Sequence, residues 1–343
     1  MLPLLERLSS PPPRTPLGDF PSPVENHPAL AATFGLEQLL IKRDDRNGTP
    51  FGGNKLRALE WLLPGAGPAI LSMGGYGSTW CAALATLAAR REQHVGVALF
   101  PQPWSMTVAS ALTRTLASSH VELAASRWTF PAALTRAWGT MRRRGPVSWL
   151  PAGGATPLAI LGSVNAALEF VGQVDAMGAR PEAIIVPLGS GGTSAGLLVG
   201  AWLAGWEVEI CAVRVTDPWF ANRRRVLALA GRTRDLLRRC GLDVRPGAAS
   251  LRVVGEYLGD GYGHPTPQAL QAQAAAGSAG ITLELTYGAK AFASLAPLSA
   301  SFRRLCFWHT FDQRLVSGPS DGHPLLRQAR EHAESLWPHQ KST

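Results

Sequence analysis

The sequence predicts an α/β fold built on two parallel sheets. Three observations carry this. Short apolar runs alternate with amphipathic stretches through most of the chain, the pattern of successive βαβ units. The chain has 343 residues, 46% of them hydrophobic, enough for two cores at roughly 100–200 residues per domain. Glycine-rich turns fall where a strand passes into a helix, as at Met73-Gly-Gly-Tyr-Gly-Ser-Thr-Trp80 and Leu188-Gly-Ser-Gly-Gly-Thr193.

The elements follow in order. Residues 1–28 are rich in proline and are expected to wrap the surface as an extended arm. Residues 39–43 form a strand that ends in the polar turn Asp44-Asp-Arg-Asn-Gly-Thr-Pro50. Behind Gly52-Gly53-Asn54, residues 55–63 have helical spacing, with Leu56, Leu59, Leu62 and Leu63 on one side, and Pro64 stops the helix. Strands at 68–73, 95–100, 121–124 and 147–150 then alternate with helices at 78–91, 107–118 and 131–144. A long helix covers 157–177, followed by a strand at 183–188, a helix at 194–204 and a strand at 208–215. Helices at 266–276 and 290–296 precede a last strand at 304–308. In such sheets a site is expected in the cleft at the C-terminal ends of the strands.

Composition excludes several classes. The formal charge of +9 suggests nucleic acid, but only four of the 33 basic residues are lysine. The arginines are dispersed, apart from short runs at 142–144 and 223–225, and no basic stripe with interleaved aromatics exists. Neither nucleic acid nor a membrane is an expected partner: no run of about 18 apolar residues was found. Cys81, Cys211, Cys240 and Cys306 lack metal-ligand spacing and read as reduced and buried, so no metal site is expected. The N-terminus has no charged region followed by an apolar one, and a soluble cytoplasmic protein is the default expectation.

Lysine is so scarce that its positions are informative: 42, 55, 290 and 341. A Schiff base needs a primary amine, which arginine cannot replace. Lys55 follows two glycines at a helix start, where the partial positive charge of the helix N-terminus disfavours the ammonium form. A lysine in such a place can equally be solvated loop material, and Lys290, which opens a helix, is the rival. Gly189-Ser-Gly-Gly-Thr193 lies between a strand and a helix, so its N–H groups and the Ser190 and Thr193 hydroxyls suit a phosphate monoester. It lacks the Gly-Lys-Ser/Thr of a Walker loop, and Ser194 stands at the third glycine of the dinucleotide fingerprint. Ser78 and Thr79 are either plain helix caps or holders of a substrate carboxylate. Tyr262 and Tyr287 each sit among glycines, and Phe307-Trp-His-Thr-Phe-Asp312 ends a strand with a histidine and a hydroxyl.

Together these motifs resemble the D-cysteine desulfhydrase / aminocyclopropane-carboxylate deaminase family, over roughly residues 10–320. That family belongs to the tryptophan synthase β-like (fold type II) enzymes that use pyridoxal 5′-phosphate. Lys42-Arg-Asp-Asp45 with Phe51-Gly-Gly-Asn-Lys-Leu-Arg57 looks like its Schiff-base motif, and residues 189–193 like its phosphate loop. Gly261-Tyr-Gly-His-Pro-Thr266 and Thr286-Tyr-Gly-Ala-Lys-Ala291 are similar to its two tyrosine motifs, and His309-Thr310 to the start of a late His-Thr-Gly-Gly motif. The resemblance implies two three-layer domains: a large cofactor domain of residues 1–57 and 166–335, and a small domain of 58–165. It implies a homodimer that cleaves a small amino acid to a 2-oxo acid and ammonia. Lys55 would hold the cofactor and shuttle the α-proton. Asn54, Gly189, Ser190, Gly191, Gly192, Thr193 and Thr310 would bind the cofactor, with Thr310 at the pyridine nitrogen. Tyr287, Tyr262 and Ser78 would act on the substrate, and Ser78, Thr79 and Trp80 would contact it.

The pattern departs from the family in three places. Gly74-Gly-Tyr-Gly-Ser-Thr-Trp80 replaces Gly-Gly-Ile-Gln-Ser-Asn-His, so Thr79 stands for an asparagine expected at the substrate carboxylate. Gly288 replaces a Glu or Thr, which argues against ring-opening of aminocyclopropane-carboxylate. Phe311-Asp312 replaces Gly-Gly and is expected to crowd or recharge the cofactor's ring edge. Beside the lyase stand two alternatives: a diverged enzyme performing β-replacement or racemisation, and a non-catalytic homologue that binds the cofactor.

Overall fold

The computed structural model of the protein describes residues 3–48, 52–312 and 322–338. In chain order the elements are β1 (Val24–Asn26), α1 (Pro28–Thr33), β2 (Gln38–Arg43), α2 (Asn54–Leu62), β3 (Ala69–Gly75), α3 (Thr79–Ala89) and β4 (His94–Phe100). Next come α4 (Met106–Ser118), β5 (His120–Leu123), α5 (Phe130–Arg142), β6 (Val147–Trp149), α6 (Pro157–Ala176), β7 (Ala183–Leu188) and α7 (Gly192–Leu203). The chain continues through β8 (Glu209–Arg214), α8 (Arg223–Arg239), β9 (Ser250–Val254), α9 (Pro267–Ser278), α10 (Gly288–Phe292), α11 (Leu295–Leu298), β10 (Arg304–His309) and α12 (Pro324–Leu336). The strands and helices read from the sequence lie within two residues of these limits, except that the single helix expected over 290–296 is two short ones, α10 and α11. Elements β1, α1, α8, β9 and α12 were not anticipated.

Two compact units result: Met1–Trp61 with Ala155–Gln313, and Leu62–Gly154 with Arg314–Thr343. This corrects the division expected at 57/58 and 165/166. Helix α6 lies whole in the first unit with all but the last residue of α2, and the two pack closely: a Cβ on Gly162 would lie 2.0 Å from the Arg57 carbonyl oxygen. Helix α12 joins the second unit, not the first. It packs on α4, and His332 Nδ1 meets the Tyr76 hydroxyl at 3.0 Å.

In the first unit the described strands form one sheet in the order β1-β2-β10-β7-β8-β9, parallel throughout except for the β1–β2 pair. Side chains alternate across a strand. Leu40, Ile184, Val186, Ile210 and Cys306 therefore pack under α6, α7 and α8, whereas Leu39, Ile41, Ile185, Cys211 and Phe307 pack under α9, α10 and α11. Burial on both faces explains why these strands read as unbroken apolar runs. The second unit holds the all-parallel sheet β5-β4-β3-β6, with α3 and α5 packed on β3 and β4. All four cysteines are buried and free. Helix α6 has the length and mean hydropathy of a membrane-crossing helix, but it carries Asn165, Glu169 and Asp175, and most of it is buried in the core of the first unit.

Beneath α2 lies a buried charge network. Arg57 donates to both Asp44 oxygens (2.7 and 3.0 Å) and to both Glu169 oxygens (3.0 Å each). Lys42 Nζ donates to Glu169, to the Gln173 side chain and to the Ser22 carbonyl, and Trp308 Nε1 donates to Asp44 at 2.8 Å. Ser22 is fully buried, so the proline-rich arm enters the core here instead of only wrapping it. Burial pushes the Asp44 and Glu169 carboxyls up, but Arg57 and Lys42 outweigh it and hold both below the usual range. Two positive and two negative groups cancel, which is what allows four charges to sit out of water.

Arg57→Met leaves two buried carboxylates without their main partner. It should cost about 3–5 kcal/mol in urea denaturation at pH 7. Because both carboxyl pKa values are depressed, the network's stabilisation is present above their ordinary values of 3.8 and 4.5 and lost as pH falls below them. The difference between wild type and variant should therefore shrink in acid, and a variant equal to wild type at pH 7 would refute the role given to Arg57.

Candidate active site

Strands β2, β10 and β7 are adjacent and parallel, so the loops that follow them leave one edge of the sheet together. After β2 comes the turn bearing Asn54 and Lys55, after β10 comes Thr310, and after β7 comes the glycine loop. Backbone contacts join the first two: the Asn54 N–H donates to the Thr310 carbonyl at 3.1 Å. Gly53 has φ +104°, and a Cβ there would lie 2.8 Å from the same carbonyl, so both conformation and space require glycine. Asn47 braces the turn from behind, accepting from the Gly53 N–H at 2.9 Å and donating to the Gly53 carbonyl at 3.2 Å.

Lys55 lies in the first turn of α2. Its side chain keeps some solvent access but is densely surrounded by protein, and desolvation pushes its pKa down to about 8. Among the described residues, nothing pairs with its Nζ. The other described lysines differ. Lys42 is held in the charge network, and Lys290 donates to the carbonyls of Leu258 (2.7 Å) and Gly261 (3.0 Å). The rival amine thus ties down the backbone next to Tyr262. Lys341 lies outside the described residues.

The glycine loop opens α7. Gly191 is its N-cap with φ +90°, a left-handed conformation that suits glycine. The first N–H groups of the helix have no earlier carbonyl to reach and are available to an anion. Thr193 Oγ1 accepts from Asn54 Nδ2 at 2.9 Å, which turns the hydroxyl proton away from Asn54 and ties this loop to the residue before Lys55. Ser194 Oγ is buried and has no partner among the described residues. A Cβ on Gly192 would meet nothing closer than 3.6 Å, so the cradle is open at that point.

Tyr262 and Tyr287 meet hydroxyl to hydroxyl at 2.6 Å, their rings edge to face at 5.8 Å. A Cβ on Gly189 would stand 3.4 Å from Tyr287 Cε1, so the pair abuts the glycine loop. The turn carrying Tyr287 is built on Glu284, whose buried carboxylate accepts from the N–H groups of Thr286, Tyr287 and Gly288. His309 faces away: its Nε2 lies 2.9 Å from the Thr282 carbonyl, which makes that nitrogen the protonated one.

Three expected positions belong to the second unit. Ser78 is buried and caps α3, its Oγ accepting from the Cys81 N–H, and Thr79 is the first residue of the helix. Trp80 points inward: it is 2% exposed, and its indole N–H donates to Ser72 Oγ at 2.8 Å. A Cβ on Gly154 would lie 2.4 Å from the indole ring. Trp80 is therefore a wall of the second unit's core, and its place among substrate contacts is withdrawn. Tyr76 also turns in, donating to the Ala124 carbonyl at 2.6 Å.

The chain matches the pyridoxal-phosphate dependent enzyme family over residues 16–309. It belongs to that family. Among relatives of this pyridoxal-phosphate enzyme, the nocardicin C-9′ epimerase of Nocardia uniformis subsp. tsuyamanensis is 32% identical, with 88% of this chain and 93% of that protein aligned. The D-cysteine desulfhydrase of Salmonella typhi is 30% identical over 82% and 87%. A crystal structure of an ACC deaminase homologue superposes with a TM-score of 0.76 at 25% identity, covering 95% of this chain and 98% of that one. The fold is the fold type II architecture expected from the sequence.

The residues present fit the cofactor. An unpaired amine of lowered pKa suits its aldehyde, and a glycine-lined helix N-terminus with an unpartnered buried hydroxyl at Ser194 suits its phosphate. Two features escaped the sequence reading. Ser194 was passed over because it breaks a dinucleotide fingerprint, though its hydroxyl is the signal of a phosphate site. Asp312 was expected to recharge the ring edge; instead its carboxylate accepts from the Gly52 N–H at 2.8 Å and clamps the turn before Lys55.

The Lys55 pKa gives a test on the apoprotein. Below about pH 8 the folded chain must carry this ammonium in a desolvated place, and the penalty fades as pH rises to the unfolded value of 10.5. Lys55→Met should raise the urea midpoint of the apoprotein at pH 7, with the advantage gone near pH 10.5. Identical midpoints at pH 7 would show that Lys55 is solvated.

Proposed function

We propose that this enzyme is a lyase that converts a small D- or β-substituted amino acid to a 2-oxo acid and ammonia, as its D-cysteine desulfhydrase relative is named to do for D-cysteine. The observation that carries this reading is the Tyr262–Tyr287 pair beside the glycine loop. When bound, pyridoxal phosphate withdraws electrons from the substrate Cα and so stabilises the charge left by a departing proton. Loss of a β-substituent then needs a proton at the leaving atom. A phenol is a proton donor of the kind this step needs, and the pair sets two of them side by side next to the glycine loop.

The chain's residues divide the remaining work. Lys55, with a pKa lowered to about 8, gives up its proton far more readily than an ordinary lysine and, once neutral, can take the proton from the substrate Cα. The N–H groups from Gly191 to Thr193 and the hydroxyls of Ser190 and Thr193 hold the phosphate. Asn54 fixes Thr193, and Thr310, with no charge to offer, would be the residue at the pyridine nitrogen of the bound cofactor. Ser78 and Thr79 receive the substrate carboxylate at the N-terminus of α3. Gly288 sits where the resemblance places Glu in a deaminase, which disfavours aminocyclopropane-carboxylate. The resemblance also implies a homodimer.

Epimerisation is the second reading, supported by the 32% identity to the nocardicin epimerase. It needs proton return to Cα without loss of a β-group.

Incubation with D- and L-cysteine, β-chloroalanine and serine in deuterated water separates the two. Pyruvate with ammonia supports the lyase; deuterium at Cα with inverted configuration and no pyruvate supports the epimerase. Lys55→Ala should abolish either outcome. Tyr287→Phe should lower kcat for elimination about 100-fold or more while the visible absorbance of the bound cofactor is unchanged. Normal elimination by Tyr287→Phe would remove the tyrosine pair from the mechanism.

A further inference from the structure

The arginine run at 223–225 reads as surface charge by composition, yet one member reaches the glycine loop. Arg225 is the third residue of α8, which follows β8, and β8 is the sheet neighbour of β7. Its Nε donates to the Ser190 carbonyl at 3.1 Å. The guanidinium also lies over the Phe220 ring, 4.3 Å from the centroid, and the backbone of Arg225 is fixed by the helix cap, its N–H donating to the Asn222 side chain at 2.9 Å. The loop beneath is held in turn by Arg214, whose Nε donates to the Ala221 carbonyl at 2.8 Å. Among the described residues, no carboxylate pairs with Arg225. Burial and the nearby Arg232 lower its pKa, the opposite of what an acidic partner would do.

A partly buried arginine without a counter-ion, bound to a carbonyl of a glycine loop, has a geometric consequence. In a trans peptide the carbonyl of one residue and the N–H of the next point in opposite directions. Holding the Ser190 carbonyl toward α8 therefore turns the Gly191 N–H to the opposite side of the loop. That N–H finds no acceptor among the described residues. Gly191 adopts φ +90°, and as glycine it lets this peptide turn more freely than a larger residue would, so a fixed anchor on its carbonyl side sets the direction of the N–H.

We propose that Arg225 is a positioning residue of the phosphate loop: it aims the Gly191 N–H into the anion cradle and adds a fixed positive charge behind it. The inference rests on the reading that residues 189–193 hold the phosphate of the cofactor.

The test compares two ligands that differ only in the phosphate. Full-length apoprotein, wild type and Arg225→Met, is titrated with pyridoxal 5′-phosphate and with pyridoxal, and Kd is read from visible absorbance. Wild type should bind the phosphorylated form much more tightly. Arg225→Met should weaken the phosphorylated form about ten-fold or more and leave pyridoxal within two-fold. It should also make binding of the phosphorylated form less sensitive to salt. Equal affinity of both proteins for the phosphorylated form overturns the proposal, and so does equal weakening of both ligands, which marks a merely structural arginine. If wild type itself fails to distinguish the ligands, the phosphate-loop reading falls first. Should the methionine variant not fold, Arg225→Lys decides by the same readout. It keeps the charge but has no Nε in the guanidinium plane, so a smaller loss confined to the phosphorylated ligand is expected, and no such loss overturns the role.

Discussion

The arrangement depends on the salt-bridged cluster of Lys42, Asp44, Arg57 and Glu169. Arg57 is two residues from Lys55 on the same helix, and it is bonded to β2's outgoing turn through Asp44 and to α6 through Glu169. Strand β2, the helix that bears Lys55 and core helix α6 therefore share one electrostatic knot. Such a cluster adds little net stability over apolar packing, but a wrong arrangement of it is very costly. It specifies register: α2 can enter the core in one position only, and that position fixes where the Lys55 amine begins.

Chemistry at Lys55 requires the reverse of the environment just below it. The knot satisfies every charge, whereas the amine has none of its own to pair with and stays desolvated. Two residues of one helix separate the two conditions. The other described lysines show the same logic from the opposite side, since each is locked onto acceptors and made useless as a nucleophile. Scarcity of lysine in the chain is thus matched by strict division of labour among the few present.

Much of this was legible in the sequence, because alternation of apolar runs and turn chemistry are local signals. The strands from β2 to β8 and the helices between them follow from them directly. Helix α8 was missed although its core face, Val226, Leu229, Ala230, Thr233 and Leu237, has helical spacing; the arginines between them read as a surface run. The N-cap signal at Asn222 was also available. Strand β9 is short and half exposed, and α12 follows residues with no clear pattern. The site divides similarly. Lys55, the glycine loop and both tyrosines are marked by their own motifs. The Asp312 clamp on Gly52 spans 260 residues, and the entry of Ser22 into the charge network spans 147 to Glu169, so neither leaves a local trace. Trp80 was misjudged because its neighbours in sequence are loop residues, while its neighbours in space are Ser72 and Gly154.

The contact between Trp80 and Gly154 couples two distant positions of the second unit. The backbone at Gly154 has φ +67°, and a single added carbon would strike the indole ring. A chain carrying a smaller residue at 80 has no such demand from that side, so with tryptophan at 80 the space at 154 admits glycine alone. Replacing Trp80 alone leaves a hole the size of an indole, although the Ser72 hydroxyl keeps its bond to the Leu150 carbonyl at 2.8 Å.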